Sequence, residues 1–296
     1  MIDTAGLTLT IALLLNPVAG STCGDQDRTD HGRLAASAAL VDGLDRAQDL
    51  GPQAQLVVLR AAARVATDQL GSARAGLLID AAVVDARWRA TVDGEAAAGG
   101  LRSTLSELAS DLAFEPLVEA PLPVGWPALT PLHEIEVRAY PRYRMAAAPV
   151  AARGSGGAFW RLFGHIQHNE IAMTAPVEMT LDERVGSARE VTMAFLYELP
   201  DQRSEAVDDA VVIVDAPQAQ AVSIGLRGES SSRRVAQARS ALEAWLAERS
   251  DLEASGPARV LGYNSPMVPR SRKFFEVQIP VRPVEQSTSL AQLSTD

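Results

Sequence analysis

A single cysteine, Cys23, stands in a chain of 296 residues, so no internal disulfide can form and no metal site can be built from thiolates. No histidine lies near it in sequence to act as a base for nucleophilic chemistry. Lysine is almost missing: Lys273 is the only one against 26 arginines, which reflects coding bias more than a need for guanidinium groups. The formal net charge of -10 excludes a general binder of nucleic-acid backbones, which needs clustered Lys and Arg to displace counterions. Neither Gly-x-Ser-x-Gly nor His-Glu-x-x-His occurs, so the common signatures of a serine hydrolase and a zinc protease are absent. Aromatic residues are scarce in the first half. Of the 14, only Trp88, Phe114 and Trp126 precede Tyr140, and the other 11 lie between Tyr140 and Phe275. The two halves must therefore fill different cores, one with Ala, Leu and Val, the other with rings, and the length also suits about two domains.

Long apolar runs are missing as well, and nothing approaches the roughly 18 uninterrupted apolar residues that a membrane-spanning helix requires. Leu7 to Val18, followed by Ala19, Gly20 and Ser21, has the length of a signal-peptide core, which predicts export to the periplasm or envelope and loss of residues 1–22. The leading residues carry Asp3 and neither Lys nor Arg, so a buried N-terminal helix in a cytoplasmic protein is the alternative. Gly20-Ser21-Thr22 before Cys23 departs from a lipoprotein box.

Beyond Cys23 come four helical stripes, predicting a small three- or four-helix bundle over residues 30–113. They are Leu34, Ala38, Val41 and Leu44; Val58, Ala62, Val65 and Leu70; Leu77, Ala81, Val84 and Trp88; and Leu101, Leu105, Leu108 and Leu112. Gly51-Pro52, Gly71 and Asp93-Gly94 separate them. The bundle shows no inward ladder of acids or histidines, and a protein partner is the one role its helices suggest. Pro116, Pro121, Pro123, Pro127 and Pro131 then crowd residues 114–132, where neither a helix nor a central strand can persist. This linker either holds the bundle away from the second half of the chain or straps along its surface.

Residues 133–283 read as two copies of a β-α-β-β unit, leaving 284–296 as a polar tail. In the first copy, strands at Glu134–Arg138 and Tyr143–Ala151 lead through Gly154-Ser-Gly-Gly157 into an aromatic helix, then strands at Ile171–Thr180 and Val191–Leu199. That Gly-rich turn lacks the Gly-Lys-Ser/Thr ending of a phosphate loop and reads as a helix lead-in. In the second copy, Ala221–Arg227, a helix over Ser232–Arg249, Ala258–Tyr263 and Phe274–Val281 repeat the order. Met173-Thr-Ala-Pro-Val177 and Tyr263-Asn-Ser-Pro-Met267 are matched as a recurring proline kink. Neither copy can bury its sheet face alone, so the two should close into one pseudo-symmetric, partly closed barrel, an α+β fold that stands without the bundle from about Pro131 onward. In the first helix, Phe159, Leu162, Phe163 and Ile166 recur at i, i+3, i+4 and i+7, placing Arg161, His165 and His168 on the opposite face.

The segment from Phe159 to Val177, with Ile171-Ala-Met-Thr-Ala-Pro-Val177 as its most specific part, resembles the SOUL haem-binding protein family. Glu136–Tyr143 and Gly262-Tyr-Asn-Ser-Pro-Met-Val-Pro269 add to the resemblance, which covers about residues 131–283. It implies a distorted barrel with two long helices and a non-catalytic protein that binds haem or a related tetrapyrrole. The site it implies is an apolar surface between the first helix and the loop before the last strand. Carried over, that is Phe159, Trp160, Phe163 and Gly164 on the helix, and Pro266, Met267, Val268 and Pro269 in the loop. Arg161, Arg270, Arg272 and Lys273 are candidates for the propionates. Val268 stands where a basic residue is common in animal members. His165 and His168 are the candidate iron ligands, although a macrocycle on the apolar face would not reach them; with Glu170 they would give only three ligands of a divalent-metal site. His31 and His133 are expected in solvent. The same rings also suit an ordinary barrel core, which leaves a second reading open: an interaction or effector-binding module of GyrI-like fold without haem. Some proteins of that fold hydrolyse small electrophiles with a cleft carboxylate, for which Glu178 or Glu198 would serve here.

Overall fold

The computed structural model describes residues 23–151, 154–184, 187–205 and 209–284. The predicted signal peptide and nearly all of the polar tail lie outside these residues. Helices α1 (Cys23–Arg46), α2 (Pro52–Leu70), α3 (Arg74–Arg89) and α4 (Gly94–Leu112) form the expected bundle. Their ends obey the sequence. Pro52 opens α2 where its missing N–H costs nothing, Gly71 closes it at φ 57°, and the Asp93 side chain caps α4 through Glu95 N and Ala96 N. Helix α4 packs against the other three and buries Leu101, Leu105, Leu108 and Leu112 as predicted.

In the other three helices the structure buries faces that only partly coincide with the predicted stripes, sharing Leu44 and Leu70 with them. Helix α1 buries Ala36, Leu40 and Leu44 and exposes Leu34 and Val41; α2 buries Leu56, Leu59, Ala63, Ala66 and Leu70 and exposes Val65. Helix α3 buries Ala75, Ile79 and Ala86, leaving Leu77, Val84 and Trp88 outside, Trp88 at 73% exposure. The reason is close approach. An added Cβ on Gly43 of α1 would sit 2.2 Å from Ala62 Cβ of α2, so small side chains stand where these two helices touch, and Leu40, Leu56, Leu59 and Ile79 fill the core beside them. Among the described residues no helix is long and apolar enough to cross a membrane.

The second half consists of β1 (Ile135–Tyr140), β2 (Tyr143–Pro149), α5 (Gly156–His168), β3 (Val177–Leu181), β4 (Glu190–Leu196), β5 (Val212–Ala216), β6 (Ala219–Arg227), α6 (Ser232–Ala247), β7 (Leu252–Ala254), β8 (Arg259–Gly262) and β9 (Phe274–Pro283). The strands form one curled antiparallel sheet, a half-barrel, in the order β1-β6-β9-β8-β3-β4-β2-β5, with β7 added on β9. The α+β duplication is present. Strands β5 and β7 escaped the sequence reading, and the full repeat is two strands, a helix and two strands. The leading strands are exchanged, since β1 pairs with β6 and β5 with β2, and the two copies meet at β3 and β8.

The two proline motifs are not equivalent. Pro176 precedes β3, whereas Pro266 follows β8, and the pairing of Val177 with Gly262 brings both to one end of the sheet. Residues 171–176 are irregular, with a cis Ala175–Pro176 peptide, so the third strand starts only at Val177.

Strand alternation sorts the sheet into two faces. Met179, Phe195, Val222, Phe275, Val277 and Ile279 join Leu162 and Ile166 of α5 and Val235, Leu242 and Trp245 of α6 in the main core. The linker straps along the opposite face and forms a second core there: Phe114, Val118, Leu122, Trp126 and Leu129 pack on Leu132, Leu261, Tyr263 and Phe274. The bundle is bound where the strap ends. Arg33 of α1 donates to the carbonyls of Leu132 (3.2 Å) and Asp111 (3.3 Å), and Glu134 accepts from Arg74 N (2.9 Å) and Ala75 N (3.1 Å) at the start of α3. His31 is exposed as expected, but His133 is not a solvent residue. It is half-buried at φ 70°, with Nε2 2.9 Å from Asp111 Oδ2, because the chain turns there between bundle and sheet. Asp111 also accepts from Arg227 at 3.1 Å. Burial opposes its charge, yet the bonds to His133 and Arg227 outweigh that and hold its carboxyl below the usual range.

Candidate functional site

Helix α5 lies over β2 and β4 and brings the predicted rings together. Phe159 and Phe163, one turn apart, stack at 6.1 Å, and Trp160 meets both edge-on at 5.4 and 5.8 Å. Phe159 also touches Phe195 of β4 edge-on at 5.3 Å, so this pair is part core and part surface. Trp160 is 68% exposed. Gly164, one turn beyond it, has nothing within 4 Å of an added Cβ, which leaves a shallow step beside the indole.

The predicted partition of α5 is corrected. The buried arc consists of Ala158, Leu162, His165 and Ile166, turned by about 60° (at roughly 100° per residue) from the arc read in the sequence. His165 is therefore inside, only 1% exposed, with Nε2 2.8 Å from Tyr197 Oη, which donates on to Ser204 Oγ at 2.9 Å. Burial, and secondarily the nearby His168, lowers its pKa. A sheet tyrosine that meets a polar group can draw a histidine into an otherwise apolar interface, and helical periodicity cannot register that partner. His168, Arg161 and Glu170 are exposed. Among the described residues no three His, Cys, Asp or Glu side chains gather as a metal ion would need.

The loop before β9 has partners of its own. Asn264 donates to the Leu117 carbonyl at 2.6 Å, and Glu119 accepts from Ser265 N at 2.6 Å, which fixes the loop to the strap. Pro266, Met267 and Pro269 are exposed, Met267 at 89%, while Val268 is buried. Arg270 and Lys273 both pair with Glu229, at 3.0 and 3.4 Å, and Arg272 is exposed. The bonds of this loop thus lead to the strap and to the β6–α6 connection. The helix residues cluster with one another and the loop residues share partners elsewhere.

The sequence reading missed a polar network on the strap-covered face. Glu178 accepts from Arg259 (3.1 Å) and Tyr143 Oη (3.0 Å), and Arg259 donates to Tyr143 Oη (2.7 Å) and to Gln278 Oε1 (3.0 Å). Gln278 donates in turn to Tyr140 Oη and to Glu276, which also accepts from Tyr263 Oη (2.7 Å) and from Thr130 N of the strap (2.6 Å). Apart from Tyr263, which directly follows β8, the side chains of this network all stand on strands, and all are buried. Burial opposes the charge of Arg259, but Glu178 and the tyrosines raise its pKa overall. Burial, then Glu178, raises that of Tyr143. The alternation Glu276-Val-Gln-Ile279 was the one available signal, and taken alone it describes a solvated face. Of the two hydrolase candidates, Glu178 is locked in this network, while Glu198 is exposed at the end of β4.

Glu276 has a raised pKa because burial outweighs the bonds from Thr130 and Tyr263. The folded state then holds its proton to higher pH than the unfolded state does. Its contribution to stability is present below the ordinary carboxylate range and is lost as pH rises through the folded value. In urea melts across that window, Glu276→Gln is expected to show a flatter pH dependence than the wild type, whatever its absolute stability. An unchanged slope would show that Glu276 does not titrate there.

More than half of the chain, residues 128–280, matches the family described as SOUL heme-binding protein, and the chain belongs to that family. No match is found among curated proteins. Among solved structures the chain is similar to the C-terminal domain of EcmrR, at 14% identity over 51% of this chain and 98% of that one, TM-score 0.38. It is also similar to a hydrolase from Listeria innocua (12% identity, 52% and 94% covered, TM-score 0.37) and to SAV2435 bound to tetraphenylphosphonium (9%, 50% and 94%, TM-score 0.33).

Proposed function

We propose that this protein binds haem or a related tetrapyrrole without catalysing a reaction on it, and that the outer surface of α5 is the contact. The observation that carries the reading is Trp160, an exposed indole held edge-on by Phe159 and Phe163 in a member of a haem-binding family. A flat apolar patch of this kind suits a macrocycle face, and the open step at Gly164 admits close approach. When bound, the group would supply an iron centre. On this chain His168 is the imidazole able to meet it from α5, because His165 is enclosed beneath Tyr197. Arg161, beside Trp160, is an exposed cation suited to a propionate.

Haemin titration of the full chain tests this. Trp160→Ala is expected to weaken binding by about tenfold or more, as loss of an aromatic anchor does. His168→Ala should move the Soret band, and Met267→Ala, in a loop tied to the strap, should leave affinity unchanged. Affinity unchanged in Trp160→Ala would remove the site from α5.

A further inference from the structure

The strap does more than cover the polar face of the sheet. Pro123 to Trp126 make a tight turn, closed by Trp126 N on the Pro123 carbonyl at 3.0 Å and made possible by Gly125 at φ 79°. That turn inserts the Trp126 ring between Tyr140 (4.9 Å) and Tyr143 (5.3 Å), edge-on to both, with Nε1 3.4 Å from Tyr263 Oη. The cage and its floor belong to the sheet. Glu178, Arg259, Gln278 and Glu276 bond to one another and to the tyrosines, and the indole contributes a single long hydrogen bond.

Two features set this apart from ordinary core. A buried charged network is no more stable than a well-packed apolar one would be, so stability alone does not explain it. Its cover is an irregular, proline-rich segment held by scattered contacts, and its one bridge to the sheet is Leu132 on Gly225 at its far end. The strap also comes so close to β6 that an added Cβ on Gly225 would lie 2.1 Å from the Thr130 carbonyl.

We propose that this cleft is a binding site for a planar aromatic heterocycle bearing N–H donors, and that Trp126 occupies it as a built-in competitor. The seated indole defines the class: a flat ring that fits between two tyrosines with a donor directed at Tyr263 Oη. Lifting the strap withdraws Thr130 N from Glu276 Oε1, so a ligand with a second donor gains a buried carboxylate acceptor that the indole itself does not use. The site lies on the face of the sheet opposite α5 and is independent of the haem reading.

Indole titrated calorimetrically into the full chain tests the proposal. A competitor that fills the site most of the time lowers apparent affinity by the fraction of time the site is free. Trp126→Ala should therefore bind one equivalent about tenfold or more tightly than the wild type, and Trp126→Phe, which keeps a ring in the cage, should resemble the wild type. Gly225→Ala retains Trp126 but pushes against the strap, and it should gain about threefold or more. Binding by Trp126→Ala without any gain in Gly225→Ala would mean that indole fills a hole left by the substitution, and the proposal fails. Equal affinity in every variant, or no binding in any, overturns it too. Should Trp126→Ala not fold, Gly225→Ala against the wild type decides alone.

Discussion

Arg259→Met is expected to lower stability by about 3–5 kcal/mol, the largest effect expected of any single substitution named for this chain. The guanidinium is buried between Glu178, Tyr143 and Gln278, and its removal leaves the Glu178 carboxylate uncompensated inside the protein, with Tyr143 as its remaining donor. Breaking a buried pair by removing one partner is far more damaging than replacing both. Glu178→Leu combined with Arg259→Met should therefore recover much of the loss. Guanidinium melts of the three variants provide the check. A double variant no better than Arg259→Met would show that packing around the guanidinium stem, and not the stranded charge, is what the single substitution destroys.

A fragment starting at Pro131 is expected to melt well below one starting at Phe114, by about 10 °C or more. The strap places Phe114, Val118, Leu122, Trp126 and Leu129 on Leu261, Tyr263 and Phe274, and each apolar side chain removed from water contributes up to about 1.5–3 kcal/mol when fully buried. Part of that for five half-buried residues amounts to several kcal/mol, or roughly 2–4 °C for each in a domain of this size. Losing the strap also strips Glu276 of its Thr130 donor and opens the polar network to water. Thermal melts of both fragments decide. Equal midpoints would mean that the second half is complete without residues 114–130 and that the strap is packed on it at little gain.

Local chemistry accounts for what could be read in the chain. Helix ends followed Gly71, Pro52 and Asp93, whose backbone or capping preferences act within one turn. Strand and helix identity in the second half followed period and composition, and the aromatic cluster on α5 followed from residues three and four apart being neighbours. The half-barrel followed from two similar units, neither able to cover its own sheet. The missed strands have physical reasons as well: β7 is three residues long, too short for any period to show, and β5 carries a burial pattern without clean alternation.

The inward faces of α1, α2 and α3 were legible only in part, because Ala, Leu and Val recur on more than one face of each helix. There the choice fell to whichever face allowed closest approach, as at Gly43 against Ala62. A histidine opposite three large apolar residues reads as polar surface; Tyr197, 32 positions away, gives His165 its reason to be inside. The polar residues of β9 alternate as a solvent face would, and their burial depends on a strap that begins about 160 residues earlier in the chain. Sequence alone thus determined most of the elements, the helix ends and the repeat, since those depend on neighbours within a few residues. Tertiary structure decided which face of each element meets which partner, because burial and the satisfaction of polar groups are set by residues that the chain brings together only on folding.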